Sequence, residues 1–114
     1  MENYINREES LTNLKNLLKN WCNKNNAIEE TTTSFWYNFN EFKREEPDEF
    51  YSVFGNGEVK LFFDKISYEL NLPALEQEFV SVSLDIFVNN KQVGWFKQIF
   101  YLDGSKYDDN FVLD

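Results

Sequence analysis

The sequence predicts an α+β domain: an N-terminal amphipathic helix and a short second helix packed on a mostly antiparallel, curved β-sheet that ends in a three-strand meander. Three observations carry this expectation. Leu11, Leu14, Leu17, Leu18 and Trp21 recur at spacings of three and four, the signature of one helix face. Val80, Val82, Leu84, Ile86 and Val88 alternate with Ser81, Ser83, Asp85 and Phe87, the signature of a strand. Helix-type pattern first and strand-type pattern last, with no βα alternation, argues for α+β.

Taken in order, residues 6–24 form the first helix. Asn6 followed by Glu9 has the form of a capping pair, with Ser10 a competing later cap. Glu8 and Glu9 stand at the start and Lys15, Lys19 and Lys24 follow, which suits the helix dipole. The leucine stripe is expected to pack onto the sheet, and Asn23-Lys24-Asn25-Asn26 ends the helix.

Residues 31–43 read as a strand. Three threonines and a serine lead into strand-forming aromatics, and Phe35, Tyr37 and Phe39 alternate with Trp36, Asn38 and Asn40 until Phe42 breaks the pattern. Pro47 fits the first turn of a short helix carrying Phe50, Tyr51, Val53 and Phe54, stopped by Gly55-Asn56-Gly57. Strands follow at 59–63 and 66–72, either one bent strand or two joined at Asp64-Lys65, ending at Pro73. The strand at 80–88 turns through Asn89-Asn90-Lys91-Gln92 into Val93 to Leu102, and Asp103-Gly104-Ser105 turns again into Lys106 to Leu113. If the main apolar rows of the sheet pack under the long helix, Trp36, Phe87 and Trp95 are left on its second face, an interaction surface unless the sheet curls over them.

Residues 1–114 form a single domain by length, long enough to bury roughly two-thirds of the unfolded surface. Twelve Phe, six Tyr and three Trp with 42% apolar residues exclude the disordered class. The lone Cys22, beside Trp21, excludes an intrachain disulfide and reads as a small half-buried hydrophobe. The N-terminus has no signal-peptide pattern and no run reaches membrane-spanning length, so a cytoplasmic home is expected.

Composition also limits the chemistry. With no histidine, Ser-His and Cys-His nucleophilic catalysis and Cys/His zinc sites are excluded. Asp103 to Asp109 only superficially resembles a calcium loop, and Gly55-Asn56-Gly57 lacks the rest of a phosphate-binding fingerprint. No carboxylate pair stands out as an acid–base couple among so many acids. Neither catalytic residues nor a metal or cofactor is expected. Twenty acids against eleven bases, net −9, repel nucleic acid and suit a basic protein partner. The densest acidic stretches are Glu41 to Glu49 and Asp103 to Asp114. Glu45, Glu46, Asp48 and Glu49, or Asp103, Asp108 and Asp109, are the candidate partner-binding acids, with Trp36 or Trp95 as aromatic anchors.

The acidic, Asn-rich build and the tail Val93-Gly94-Trp95-Phe96, Tyr101-Leu102-Asp103-Gly104 and Asp108 to Leu113 resemble the small immunity proteins of bacterial contact-dependent and other polymorphic toxin systems. The resemblance covers the last third of the chain. It implies a cytoplasmic, non-enzymatic antitoxin that binds one cognate toxin domain, often a nuclease, and blocks it. Three other readings stay open: a small-molecule-binding or catalytic cone between sheet and helix, a phage-type anti-defence protein mimicking DNA, and a structural subunit that oligomerises through a sheet edge or aromatic face. On the sequence alone, the negative charge is also consistent with a role in solubility only.

Overall fold

The computed structural model describes residues 7–71 and 77–114. Within them the order is helix α1 (Arg7–Lys24), helix α2 (Ala27–Glu45), helix α3 (Pro47–Val53), and strands β1 (Val59–Leu70), β2 (Glu78–Val88), β3 (Lys91–Tyr101) and β4 (Lys106–Leu113). The fold is α+β. The strands form one antiparallel sheet in the order β1-β2-β3-β4, so the meander has four strands. The expected capping role of Asn6 and the strand end at Leu72 and Pro73 lie outside the described residues.

The expectation of a strand over residues 31–43 is overturned, because this segment is the body of α2. The reason lies in spacing. Ala27, Thr31, Phe35, Phe39 and Phe42 recur every three or four residues and all turn toward the sheet, whereas Tyr37, read as a partner of Phe35 and Phe39, is 67% exposed. Thr31 Oγ donates to the Ala27 carbonyl at 2.7 Å, so its hydroxyl is satisfied inside the helix. Burial of the Phe stripe outweighs the intrinsic strand preference of the aromatics and threonines.

It follows that α2, and not the N-terminal helix, covers the sheet. Phe35 is fully buried between α2 and β3–β4, edge-on to Phe96 (centroids 5.8 Å) and stacked on Phe111 (5.6 Å, 7°). The main core joins it to Phe50 and Phe54 of the α3 region and to Leu84, Ile86, Val88 and Phe96 of the sheet. A smaller cluster of Cys22, Ala27, Val82 and Phe100 seals the other end, with Trp21 packed at its edge.

The leucine stripe of α1 does not pack on the sheet as expected. Only its last turn, with Trp21 and Cys22, enters the core, while Leu11, Leu14 and Leu17 are 56%, 59% and 65% exposed. The helix therefore projects, and the molecule measures 67 × 30 × 25 Å with a radius of gyration of 17.5 Å, against about 13 Å for a compact chain of this length. Helix α1 ends in the expected asparagine cluster, where Asn26 takes left-handed dihedrals (φ 50°) that Asn tolerates. Pro47 opens α3 and left-handed Gly55 follows it, its N–H bonded to the Tyr51 carbonyl at 3.0 Å.

The stretch after residue 58 resolves as a single bent strand, β1, with a bulge between Phe63 and Lys65. Further bulges lie between Ile86 and Phe87 and between Ile99 and Phe100, and they add twist and bend to the sheet. The β2–β3 turn is the pair Asn89-Asn90, both at positive φ, as a tight hairpin requires.

Candidate protein-binding site

Cross-strand register divides the sheet into two faces. Val82, Leu84 and Ile86 of β2 share the helix-covered face with Gln98 and Phe96 of β3 and with Phe111 of β4. The opposite face carries rows such as Phe62, Asp85, Trp95 and Val112, and Lys65, Ser83, Lys97 and Asn110. No helix among the described residues covers it.

Charge is unevenly divided between these layers. Residues 27–53, the segment of α2 and α3, hold seven acids and two bases, a surplus of five out of the net nine. On the open sheet face Lys60, Lys65 and Lys97 stand against Asp64, Glu69, Asp85 and Asp108, a surplus of only one acid. The negative field is thus concentrated on the helical side.

Its focus is the corner where α2 meets α3. Asn38, Glu41, Phe42 and Glu45 fall on one flank of α2 by their spacing of three, one and three residues, and α3 adds Glu49 while β4 adds Phe111 and Leu113. Together they line a groove of about 360 Å³. The half-buried Phe42, Phe111 and Leu113 form an apolar floor, and the three carboxylates stand along the rim.

Arg44 spans part of this rim, paired with Glu41 and, at 3.2 Å, with Glu45. Its hydrogen bond and positive charge hold the Glu41 carboxyl below the usual carboxylate range. The Arg44 side chain is two-thirds exposed, and such surface pairs are weak, so its place can be taken by an incoming cation. Lys43, two residues from both Glu41 and Glu45 and so on the opposite flank of α2, lies over Phe50 and Tyr51 at 5.7 and 5.9 Å from the ring centroids.

The residues selected from sequence do not form one patch. Glu45 and Glu49 are in the groove; Glu46 is the junction residue, its N–H bonded to the Phe42 carbonyl and its own carbonyl accepting from Phe50; Asp48 is exposed in the first turn of α3. Asp109 is one step away, accepting from Asn38 at 3.3 Å. Trp36 is 37% exposed on the far side of α2, nine residues and half a helical turn in angle from Glu45. Trp95, equally exposed, and Asp108 lie on the open sheet face. Asp103 shapes the β3–β4 turn by accepting from the Ser105 N–H at 2.8 Å and hydroxyl at 2.6 Å. Asn38, Glu41, Phe42, Phe111 and Leu113 line the groove without being candidates on the sequence alone. The Phe35, Phe39, Phe42 spacing was the available signal, since a helix there aligns Glu41 and Glu45.

A second groove, about 370 Å³, lies on the open sheet face. At its centre Lys97 Nζ reaches Glu69 at 3.1 Å, and Ser81 Oγ donates to the same carboxylate at 3.2 Å. Trp95 walls it. Among the described residues no three Cys, Asp or Glu side chains gather as a metal site, and no helix is long and apolar enough to cross a membrane. Comparison with protein-family models, with curated proteins and with solved structures finds no match.

Proposed function

We propose that this protein is a non-enzymatic binding inhibitor, an immunity-type protein that neutralises a cognate bacterial toxin domain by presenting the α2–α3 corner to its basic surface. The observation that carries this reading is the groove in which Glu41, Glu45 and Glu49 ring a floor of Phe42, Phe111 and Leu113. A lysine or arginine of the partner fits it by chemistry: the aliphatic stem lies on the rings and the cation meets ionised carboxylates. The surrounding acidic surplus steers a basic partner toward the corner and speeds association, which suits an inhibitor that must reach its target quickly. A compact cluster interrupted by Arg44 also favours this reading over a DNA mimic, which needs acids in an extended, phosphate-like track.

The test is capture from source lysate with the wild-type chain and with a Glu45→Lys/Glu49→Lys variant side by side. The expected result is one basic protein, stoichiometric with wild type, lost with the variant, toxic when expressed alone and harmless when the chain is co-expressed. Its on-rate should fall steeply with added salt. Equal recovery by both baits removes the corner from the mechanism, and no partner for a folded bait removes the inhibitor reading.

The open-face groove supports a second reading, a small polar ligand held at Lys97, Glu69 and Ser81 against Trp95. Its volume falls within the ~300–1,000 Å³ of ligand pockets. A ligand panel that raises the melting temperature of wild type but not of a Lys97→Met variant identifies it.

A further inference from the structure

The longer of the two sheet edges is the outer side of β1, twelve residues against the eight of β4. Just beyond its ends, Asn71 N–H donates to the Gln77 carbonyl at 3.0 Å and Asn89 N–H donates to the Glu58 carbonyl at 3.4 Å. Bonding toward β2 therefore runs through residues 58, 60, 62, 65, 67, 69 and 71, and the N–H and C=O groups of Val59, Leu61, Phe63, Ile66, Tyr68 and Leu70 aim outward. No strand among the described residues pairs with them. Such an edge is a template for another strand. Helix α2 lies over β2, β3 and β4, while Phe62, Phe63, Tyr68 and Leu70 of β1 are exposed.

We infer that β1 pairs antiparallel with β1 of a second copy of this chain, joining the two sheets into one across a two-fold axis at Asp64-Lys65. This goes beyond the inhibitor reading and does not depend on it. The bulge places Asp64 and Lys65 together on the open face, so that face reads Lys60, Phe62, Asp64 with Lys65, Ser67, Glu69, and the outward-bonding residues lie between them on the helix-covered face. With the axis at the bulge, Val59 meets Leu70 of the copy, Leu61 meets Tyr68 and Phe63 meets Ile66, all on the helix-covered face. On the open face Lys60 meets Glu69, Phe62 meets Ser67 and Asp64 meets Lys65. Every charge of the strand thus stands opposite one of the other sign, on the same face and at the non-hydrogen-bonded positions where side chains approach most closely. Among the described residues Lys60, Asp64 and Lys65 make no ion pair, and Glu69 accepts from Lys97 and Ser81 through Oε1 alone. A slip by one bonded pair destroys the match: one direction sets Phe62 against Asp64 and Lys65 and Glu69 against Glu58, and the other sets Phe62 against Glu69. The β4 edge has no such symmetry, since its charges are Lys106, Asp108 and Asp109, and Lys106 is held by Glu30 at 3.0 Å. One strand pair lies at the small end of specific interfaces, about 1,200 Å² or less, so the dimer dissociates on dilution.

The experiment is sedimentation equilibrium of the full chain over a concentration series at low salt, with Asp64→Lys and Lys65→Asp variants each alone and then mixed. Wild type is expected to pass from monomer to dimer. Either variant alone gathers like charges at the axis and should dimerise about tenfold more weakly, whereas an equimolar mixture sets Lys against Asp again and should recover the wild-type affinity. Tyr68→Pro removes an outward N–H and no bond to β2, so it should give a folded monomer, its fold checked by circular dichroism. The charge variants decide without it if it does not fold. A wild-type monomer at every soluble concentration, or a dimer indifferent to a folded Tyr68→Pro, overturns the proposal. Single charge variants that dimerise as wild type does, or a mixture that does not recover, overturn the antiparallel register. If the wild type is monomeric and Tyr68→Pro instead loses a captured partner, the edge belongs to that partner and self-pairing is excluded.

Discussion

Trp21 Nε1 donates to the carbonyl of Leu102 at 2.8 Å, fastening the last turn of α1 to the β3–β4 turn. The same indole packs edge-on to Phe100 with centroids 5.6 Å apart. Trp21→Phe keeps an aromatic ring there and removes the hydrogen bond, so urea denaturation should show a loss of about 1 kcal/mol. Trp21→Ala also removes the packing and should lose about 3 kcal/mol, the low end for a core aromatic because Trp21 is only half-buried. Equal effects of the two would show that the hydrogen bond alone accounts for the anchor.

The turn that Trp21 grips has its own pH dependence. The hydroxyl and backbone N–H of Ser105 bond the Asp103 carboxylate and hold its pKa below the ordinary value. A carboxyl depressed in the folded state stabilises fully above its unfolded value, near 3.9, and that contribution disappears as pH falls through the lower folded value. Asp103→Ala should therefore melt below wild type at neutral pH, and the two melting temperatures should converge in strong acid. A gap independent of pH would assign the effect to turn geometry instead.

At the next residue, Gly104 has φ of 92° and a Cβ there would strike the Asn25 side chain, which is itself held by its amide to the Trp21 carbonyl at 3.0 Å. Gly104→Ala adds backbone strain to that collision and should lose about 1–3 kcal/mol.

These anchors explain how much was legible in advance. Strands β2 to β4, the Pro47 helix, the asparagine helix stop and the Asp103-Gly104-Ser105 turn rest on local chemistry, alternation or turn residues and fall close to where the sequence puts them. Residues 59–72 leave one strand or two open, and the β2–β3 turn is Asn89-Asn90 alone, with Lys91 and Gln92 already in β3. Residues 31–43 read as a strand because Phe35-Trp36-Tyr37-Asn38-Phe39 satisfies period two over five positions, while the period of 3.6 becomes visible only from Ala27 to Phe42. That one substitution of period hid the groove, since Glu41, Glu45 and Phe42 share a side only on a helix. The leucine stripe of α1 was visible, but its covering by the sheet was not a local property. Helix α2 occupies that place instead. Asp108 and Asp109 illustrate the remaining limit: adjacent acids on a strand face opposite ways, and only the Asn38 contact tells which belongs to the helical side.

Gln98 is 1% exposed on the helix-covered face, between Phe96 and Phe100. Its Nε2 donates to the carbonyls of Ile99 (3.1 Å) and Asp108 (2.9 Å), beside the bulge that breaks the β3–β4 ladder, while Oε1 has no partner among the described residues. Gln98→Leu relieves the orphan oxygen and leaves two carbonyls short of a donor; the net should be a loss of about 1–3 kcal/mol despite the added apolar surface. Gln98→Glu should lose more at neutral pH. Burial raises a carboxyl's folded pKa, so this variant's deficit should be small below about pH 4 and should grow as pH rises from the unfolded value to the folded one.

Cys22 offers a reporter for the joint between α1 and the body. The thiol is 4% exposed among Ala27, Val82 and Phe100, and desolvation pushes its pKa up from the ordinary thiol value. Both effects lower the rate of alkylation, since the thiolate is the nucleophile and the reagent must reach it. Native protein at pH 7 should label far more slowly than protein in urea. Because the thiol is covered where the end of α1 meets α2 and β2–β3, Trp21→Phe should speed native labelling by opening this joint, about fivefold for each kcal/mol lost there. Phe50→Ala, in the separate cluster beneath α3, should speed it only as far as it lowers global stability. Identical acceleration by both, matched to their global losses, would mean that Cys22 is exposed only by complete unfolding and that α1 and the sheet open as one cooperative unit.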